Sequence, residues 1–232
     1  MAGSPSSENV RNIIHESAHE WFGNSVSAAD RSDMWIHEGW ATYLECLYVE
    51  YRWGKADGLK YANAYKSKVQ NQRPIIATRG ANDTPPDDQY FKGALFLNTL
   101  RRVVNDDRRW WKLIHDYYRN FQYQNIMTED AVTYFNQQTG MNLTPIFHQY
   151  LRHTGIPTLE LKFDGPQGSV SYRWKADETD FAMPVRVGTK DQWQMIQPTT
   201  EWKTMKTAIE KEDFEASTEL YYVSVSKVES GQ

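Results

Sequence analysis

Apolar residues recur every three or four positions along the first two thirds of the chain and every second position thereafter. The first spacing predicts amphipathic helices over roughly 8–22, 38–52, 55–71, 88–104, 107–120, 128–138 and 143–152. Several of these carry end signals: Ser6 or Ser7 can cap the first, Thr128 stands before Glu129 and Asp130 at the start of the sixth, and Gly54 and Gly140 fall where helices should stop. Between the third and fourth lies one long irregular stretch, Arg73 to Gln89, with Pro85 and Pro86 among polar turn residues. Long loops inside compact domains often carry function.

The period changes near Gly155, Ile156 and Pro157. Beyond it Leu159, Leu161 and Phe163 alternate with Thr158, Glu160 and Lys162; Val170, Tyr172 and Trp174 repeat the pattern, as do Met183, Val185 and Val187, and Tyr221, Val223 and Val225 close it. Such alternation predicts half-buried strands, and with Gly and Pro turns between them a small β-sandwich beside the helices. The expected class is α+β, with a leader over 1–7 that is disordered or foreign to the fold, a helical part over 8–154 and a β-sandwich over 155–232. No internal repeat is visible, and the only compositional bias is the Ser-rich start.

Length and composition narrow the function classes. With 232 residues the chain can bury a full core as one large domain or two smaller ones. Its 26 basic and 30 acidic residues give a net charge of -4 with no long run of either sign, which argues against a nucleic-acid partner. No apolar run approaches the roughly 18 residues of a membrane span, and the first ten residues lack the apolar core of a signal peptide. The single cysteine, Cys46, lies among Tyr43, Leu44 and Leu47 and reads as a buried structural thiol. Nine tryptophans and fourteen tyrosines suit a cleft-bearing enzyme and a tightly packed core equally.

The chemistry concentrates in the first helical segment, "IIHESAHEWFGN". Residues four apart on a helix are separated by about 6 Å along the axis and about 40° around it, so His15 and His19 project toward one point. Glu16 is turned about 100° from His15 and flanks that point, where a carboxylate contacts a water rather than a metal. This is the HExxH pattern of zinc peptidases, with two metal ligands and a general base. A catalytic zinc takes a third protein ligand and leaves a position for water. Glu38, eighteen residues after His19 and opening the helical segment "EGWATYLE", answers that need. His37, His115, His148 and His153 lack a spaced partner and read as ordinary packed or exposed histidines.

With HExxH, the eighteen-residue gap, Glu-Gly in "MWIHEGWATYLE" and "HEWFGN" after the second histidine, the chain resembles the alanyl aminopeptidase family. These gluzincin metallopeptidases include aminopeptidase N and the leukotriene hydrolases. The segment "QYFKGALFLNTLR" looks like the family's Tyr-x-Lys-Gly-Ala element. The resemblance implies that the Tyr90 hydroxyl holds the oxyanion of a tetrahedral intermediate. It implies one Zn2+ bound by His15, His19 and Glu38, Glu16 as base and then acid, and peptide substrates. It also implies a fold: the all-helical C-terminal half of a thermolysin-like zinc peptidase domain, followed by a β-sandwich. Glu45, seven residues after Glu38, could orient a zinc-binding histidine from behind; Asp33 could do the same or cap the helix of Glu38.

The chain departs from the family's usual pattern at Glu20, where glutamine is customary, and at His37, where asparagine is. The Gly-x-Met-Glu-Asn segment that anchors a substrate's free amine precedes HExxH in the family and has no counterpart here, since Gly140, Met141 and Asn142 lie downstream. The expectation is a fragment starting at the HExxH helix, weak or inactive by itself. Ile13, Ile14, Trp21 and Phe22 cannot all face the remaining helices, so a missing N-terminal half or self-association is expected to cover them. Within the enzyme class, an endopeptidase or an ester or epoxide hydrolase is the alternative to an aminopeptidase. Outside it, the alternative is a non-catalytic zinc-binding or peptide-binding module.

Overall fold

The computed structural model describes residues 8–163 and 168–228, with side chains from Arg11 onward. The expected leader over 1–7, with its Ser6 or Ser7 cap, lies outside the described residues. Helix α1 (Glu8–Ala18) is followed by a short strand β1 (Val26–Ala28) and a 3-10 turn at Arg31–Asp33. Then come α2 (Trp35–Trp53), α3 (Lys55–Ala64) with a 3-10 extension over Tyr65–Lys68, α4 (Asp88–Val104) and α5 (Asp107–Phe121). Strand β2 (Gln124–Ile126), α6 (Thr128–Thr139) and α7 (Thr144–Arg152) complete the helical part. No described helix is long and apolar enough to cross a membrane.

The centre is α4, buried on most sides through Leu95, Phe96, Leu97 and Leu100. Such a helix belongs inside, with amphipathic neighbours around it. It packs against α2 at a point where both helices carry glycine: a Cβ on Gly93 would stand 3.0 Å from the Gly39 Cα, and one on Gly39 would stand 3.2 Å from the Gln89 carbonyl. Only hydrogens at these two positions let the backbones approach this closely. On the other side of α2, Trp40 clusters with Phe22 at 4.8 Å and Tyr117 at 5.3 Å, these two rings standing 6.3 Å from each other. Along α5, Trp110, Leu113, Ile114 and Tyr117 turn inward at helical spacing while Trp111 faces out. Of the residues expected to lack cover, Phe22 is buried, Ile14 is partly buried, and Ile13 and Trp21 remain 64% and 49% exposed.

Two expected helices are shorter than their periodicity. The first ends at Ala18 rather than 22, because the Glu20 and Trp21 amides bond carbonyls three residues back, the Asn24 amide bonds one five back, and Gly23 turns the chain at φ 138°. The third ends in the 3-10 turn at Lys68 rather than 71, because the Asp88 carboxylate takes the amides of Gln70 and Asn71 at 2.8 and 2.7 Å. At the start of α6 the Thr128 hydroxyl does not cap; Asp130 accepts from the Met127 amide at 2.8 Å instead. The helical part is also not purely helical, since β1 and β2 form a parallel pair in which Val26 stands opposite Gln124.

Beyond Pro157 there are two sheets. One orders β7 (Lys203–Thr207), β4 (Gly168–Lys175), β3 (Thr158–Phe163) and β9 (Ser224–Val228); the other orders β6 (Gln192–Ile196), β5 (Val185–Thr189) and β8 (Glu215–Ala216). Leu159, Leu161, Val170 and Trp174 of the first sheet and Val185 and Val187 of the second are fully buried, as alternation requires. The last apolar run starts its strand later than expected. Tyr222 N–H bonds the Thr99 hydroxyl of α4 at 2.9 Å, and its carbonyl accepts from Tyr150 of α7 at 2.7 Å, so this segment is docked on the helices before the strand begins. Lys92 of α4 donates to the carbonyls of His153 and Thr154 at 2.9 and 3.0 Å. The helical and β parts thus share one continuous apolar core.

Candidate metal centre

The last turn of α1 and the first turn of α2 build the centre. His15 lies within α1; His19 falls one residue past its end but keeps the helical bond from its amide to the His15 carbonyl, at 3.3 Å. The four-residue spacing therefore survives the helix end, and the two rings stand 4.8 Å apart, edge to face. His19 is held from behind by the Phe22 carbonyl, 2.9 Å from its Nδ1. Gly23 makes this wrap feasible, since a Cβ there would come within 3.1 Å of that same nitrogen.

Glu38, in the first turn of α2, reaches both histidines with one oxygen: its Oε2 is 3.3 Å from His15 Nε2 and 3.3 Å from His19 Nε2. Tetrahedral coordination at about 2.0–2.1 Å places neighbouring donor atoms about 3.3–3.4 Å apart. The donor set and its spacing therefore fit zinc, and among the described residues this is the one group of three histidine, cysteine or acidic side chains whose donor atoms lie within 4.8 Å of one another. The three side chains are each partly buried.

Glu45, two turns further along α2, is buried and accepts from His15 Nδ1 at 2.9 Å. An acceptor on Nδ1 fixes the tautomer that leaves the Nε2 lone pair for a metal. The other Glu45 oxygen accepts from Tyr61 and Tyr65 hydroxyls at 2.9 and 2.7 Å. Neither tyrosine was among the residues singled out in the sequence. Their four-residue spacing, like that of the histidines, is the only local signal they offer, and core aromatics show the same spacing.

Charge in the centre is arranged around the carboxylates. Burial disfavours the His15 cation, but hydrogen bonds to Glu38 and Glu45 outweigh it and raise the pKa to about 9. His19 is raised chiefly by its hydrogen bond to Glu38. Burial pushes Glu38 upward, yet the two imidazoles carry it down to about 2. Tyr90, in the first turn of α4, has its ring 5.9 Å from that of His15 and its hydroxyl within reach of Glu38. Burial and the Glu38 charge push this phenol up to about 12, so it stays protonated as a donor at neutral pH.

Glu16 is exposed, close enough to Tyr90 for its charge to bear on the phenol. Asp33 is not brought to the histidines. Its carboxylate is taken up by Arg79 at 3.2 Å, by the Thr128 amide at 3.1 Å and by the Thr128 and Ser32 hydroxyls, and it makes no cap on α2. The role of orienting a zinc histidine is thereby corrected for Asp33, which instead ties the start of α6 and the loop carrying Arg79 to the approach of α2. At the two departures, Glu20 is exposed and accepts from Asn24 at 3.3 Å, while His37 Nε2 accepts from the Ala28 amide at 2.7 Å and fastens β1 to α2.

Two histidines at the end of one helix and a glutamate of the next meeting at one point, with a tyrosine beside them, are the site of a zinc metallopeptidase. Residues 2–150 match the model of the peptidase family M1 domain, and the chain belongs to that family. Aminopeptidase N of Rattus norvegicus is 28% identical over 169 residues, covering 63% of this chain and 17% of that protein. Aminopeptidase B of the same species is 27% identical over 179 residues, covering 68% and 27%. The chain thus spans 17% and 27% of the length of these two curated relatives. Among solved structures, the M1 zinc metallopeptidase of Deinococcus radiodurans bound to a Tyr-Ser-Ala substrate is 29% identical with a TM-score of 0.55, covering 65% of this chain and 34% of that one. Aminopeptidase A of Legionella pneumophila, in complex with aspartic acid, covers 95% of this chain and 27% of that one with a TM-score of 0.72; at 14% identity it speaks for the fold alone.

Proposed function

We propose that the chain carries the metal centre of a zinc aminopeptidase, with one Zn2+ held by His15, His19 and Glu38. The observation that carries this reading is the convergence of three partly buried donors on one point, with Glu38 Oε2 3.3 Å from each histidine Nε2 and all three donor atoms within 4.8 Å of one another. The family and the names of the relatives support the peptidase class and the amino-terminal mode. When bound, zinc supplies Lewis-acid polarisation of water and of the scissile carbonyl. Glu16, exposed beside that point, takes the proton of the attacking water and returns it to the leaving amine. Tyr90 donates its hydrogen bond to the oxyanion that forms at the carbonyl. Glu45 holds His15 in the tautomer and direction that binding needs. We assign this work to a helical part over 8–154 and propose that 155–232 forms a β-sandwich domain packed on it through their shared core.

The test is metal content together with hydrolysis of an alanyl or leucyl chromogenic amide, for wild type and Glu16→Gln. One zinc per chain in both, with turnover in wild type alone, supports the reading. Zinc in both with no difference in hydrolysis favours a non-catalytic zinc-binding module, and no zinc after reconstitution overturns the site. Preference for blocked or ester substrates over free-amine amides would favour the endopeptidase or ester-hydrolase alternative.

The face beside α1 supports a second part of the reading. Ile14, Trp21, Leu44, Leu47 and Trp111 line an almost wholly apolar groove of about 600 Å³. Tyr51 beside it is 85% exposed. We propose that this face is covered in the working protein by a second copy or by another part of the polypeptide. A sedimentation profile that stays monomeric at all concentrations would refute the second copy.

A further inference from the structure

The Glu45 carboxylate poses a physical problem that His15 alone does not solve. It is buried, 4% exposed, with one oxygen on the histidine. A buried carboxylate needs several donors to remain charged and fixed in direction. The other oxygen has three candidates: the Tyr61 hydroxyl at 2.9 Å, the Tyr65 hydroxyl at 2.7 Å and the Arg11 guanidinium at 3.9 Å. The arginine is beyond hydrogen-bonding distance and partly exposed, so it contributes only diffuse charge. The two phenols supply the directed bonds.

Their placement follows from the local fold. Tyr61 lies on α3 and Tyr65 opens the 3-10 turn that continues it, so the rings sit one turn apart, 5.5 Å between centroids and edge to face. Tyr65 is buried and packs on Phe91 at 5.3 Å, beside Tyr90 on α4. Burial raises both phenols well above their ordinary range, so they donate and never compete as anions. The path from Tyr61 and Tyr65 through Glu45 to His15 is a continuous set of hydrogen bonds running from α3 to the metal point.

Resting on the zinc reading above, we propose that Tyr61 and Tyr65 are positioning residues for the metal, their hydroxyls holding Glu45 against the Nδ1 edge of His15. Without them the carboxylate is free to turn toward Arg11, and the imidazole loses its fixed direction. Outer partners of a metal-bound histidine typically change metal affinity about 10–100-fold when removed. The expected loss is about three- to tenfold for Tyr65→Phe and about 10–100-fold for Tyr61→Phe with Tyr65→Phe. The smaller single effect is assigned to Tyr61→Phe, whose bond is longer and whose ring is less buried.

The experiment measures Zn2+ affinity by chelator competition at fixed pH for wild type, both single variants and the pair, and repeats the pair in a Glu45→Ala background. Phenylalanine keeps the ring packing, and the melting temperature of each metal-free variant reports any general loosening. If the tyrosines act through Glu45, removing them weakens zinc in the wild-type background and changes nothing further once Glu45 is gone. Equal losses in both backgrounds would show a merely structural role and overturn the inference. So would wild-type affinity in the double variant while wild type binds zinc. Should the double variant not fold, Tyr65→Phe alone in the two backgrounds decides the matter. If wild type binds no zinc, the reading of the site itself fails, a result distinct from the other two.

Discussion

The chain contains two groups of two histidines and a glutamate, and they differ in every respect except composition. In the first, His15 and His19 meet the same Glu38 oxygen at 3.3 Å each, with His15 backed by Glu45 and His19 by the Phe22 carbonyl. In the second, on α7 and just past its end, His148 lies 3.7 Å from one oxygen of Glu178 and His153 lies 2.8 Å from the other. Only the first has three such donor atoms within 4.8 Å, among the described residues. Four-residue spacing aims two side chains at a point, whereas His148 and His153, five apart across a helix end, straddle the glutamate. A metal centre is thus defined by convergence and by what stands behind each ligand. A pair of ion contacts at a seam needs neither.

The comparison is most directly broken by ligand removal. His15→Ala, His19→Ala or Glu38→Ala is expected to weaken zinc about a thousandfold, since the binding energy of about 10–16 kcal/mol at four-ligand sites is shared among few ligands. His148→Ala and His153→Ala are expected to leave zinc unchanged. Equilibrium dialysis against zinc checks both, and equal losses from the two groups would erase the distinction drawn between them.

Next in size is an effect at the seam where the second group sits. Lys92 is fully buried and donates to the His153 and Thr154 carbonyls, and burial lowers its pKa from 10.5 to about 8. Between those values the unfolded chain holds a proton that the folded chain has released, so stability rises with pH through the window. The cost is fully present below about pH 8 and amounts to about 3 kcal/mol. Urea unfolding from pH 7.5 to pH 10.5 should show this rise, and Lys92→Met should flatten it. A slope unchanged by the substitution would place the titration elsewhere.

These particulars also mark what the sequence could and could not disclose. The grouping of His15, His19 and Glu38 was legible because helix geometry converts a spacing into a direction, and Glu45 followed from the same face of α2. Tyr61 and Tyr65 were not, because their bonds to Glu45 cross sixteen and twenty residues and their pattern is that of any core aromatic pair. Asp33 was misread because its partners, Thr128 and Arg79, lie 95 and 46 residues away. In the β part the half-buried strands β3 and β4 announced themselves by alternation, while β6 and β7, with mostly exposed faces, have little apolar signal to alternate. Tyr221 and Val223 do alternate, but their burial comes from docking near Thr99 and Tyr150 rather than from a ladder.

What stands behind the ligand is tested by Glu45→Ala, which should weaken zinc about 10–100-fold while leaving all three metal donors in place. The matching change at the second group is Glu178→Gln, and its expected effect is the smallest. Glu178 is 24% exposed and its histidines about one third exposed. Contacts of this kind contribute about 0–1 kcal/mol, screened by water and salt. The Glu178 amide keeps its own bond to the Gln149 side chain, 3.1 Å away, so the loop stays attached to α7 whatever the side chain does. Chemical denaturation should therefore show a loss of at most about 1 kcal/mol at neutral pH, diminishing in high salt, with zinc affinity unmoved. A larger loss, or any loss of zinc, would mean that the seam and the metal centre are mechanically one, and the contrast between the two groups would have to be redrawn around the shared core that joins them.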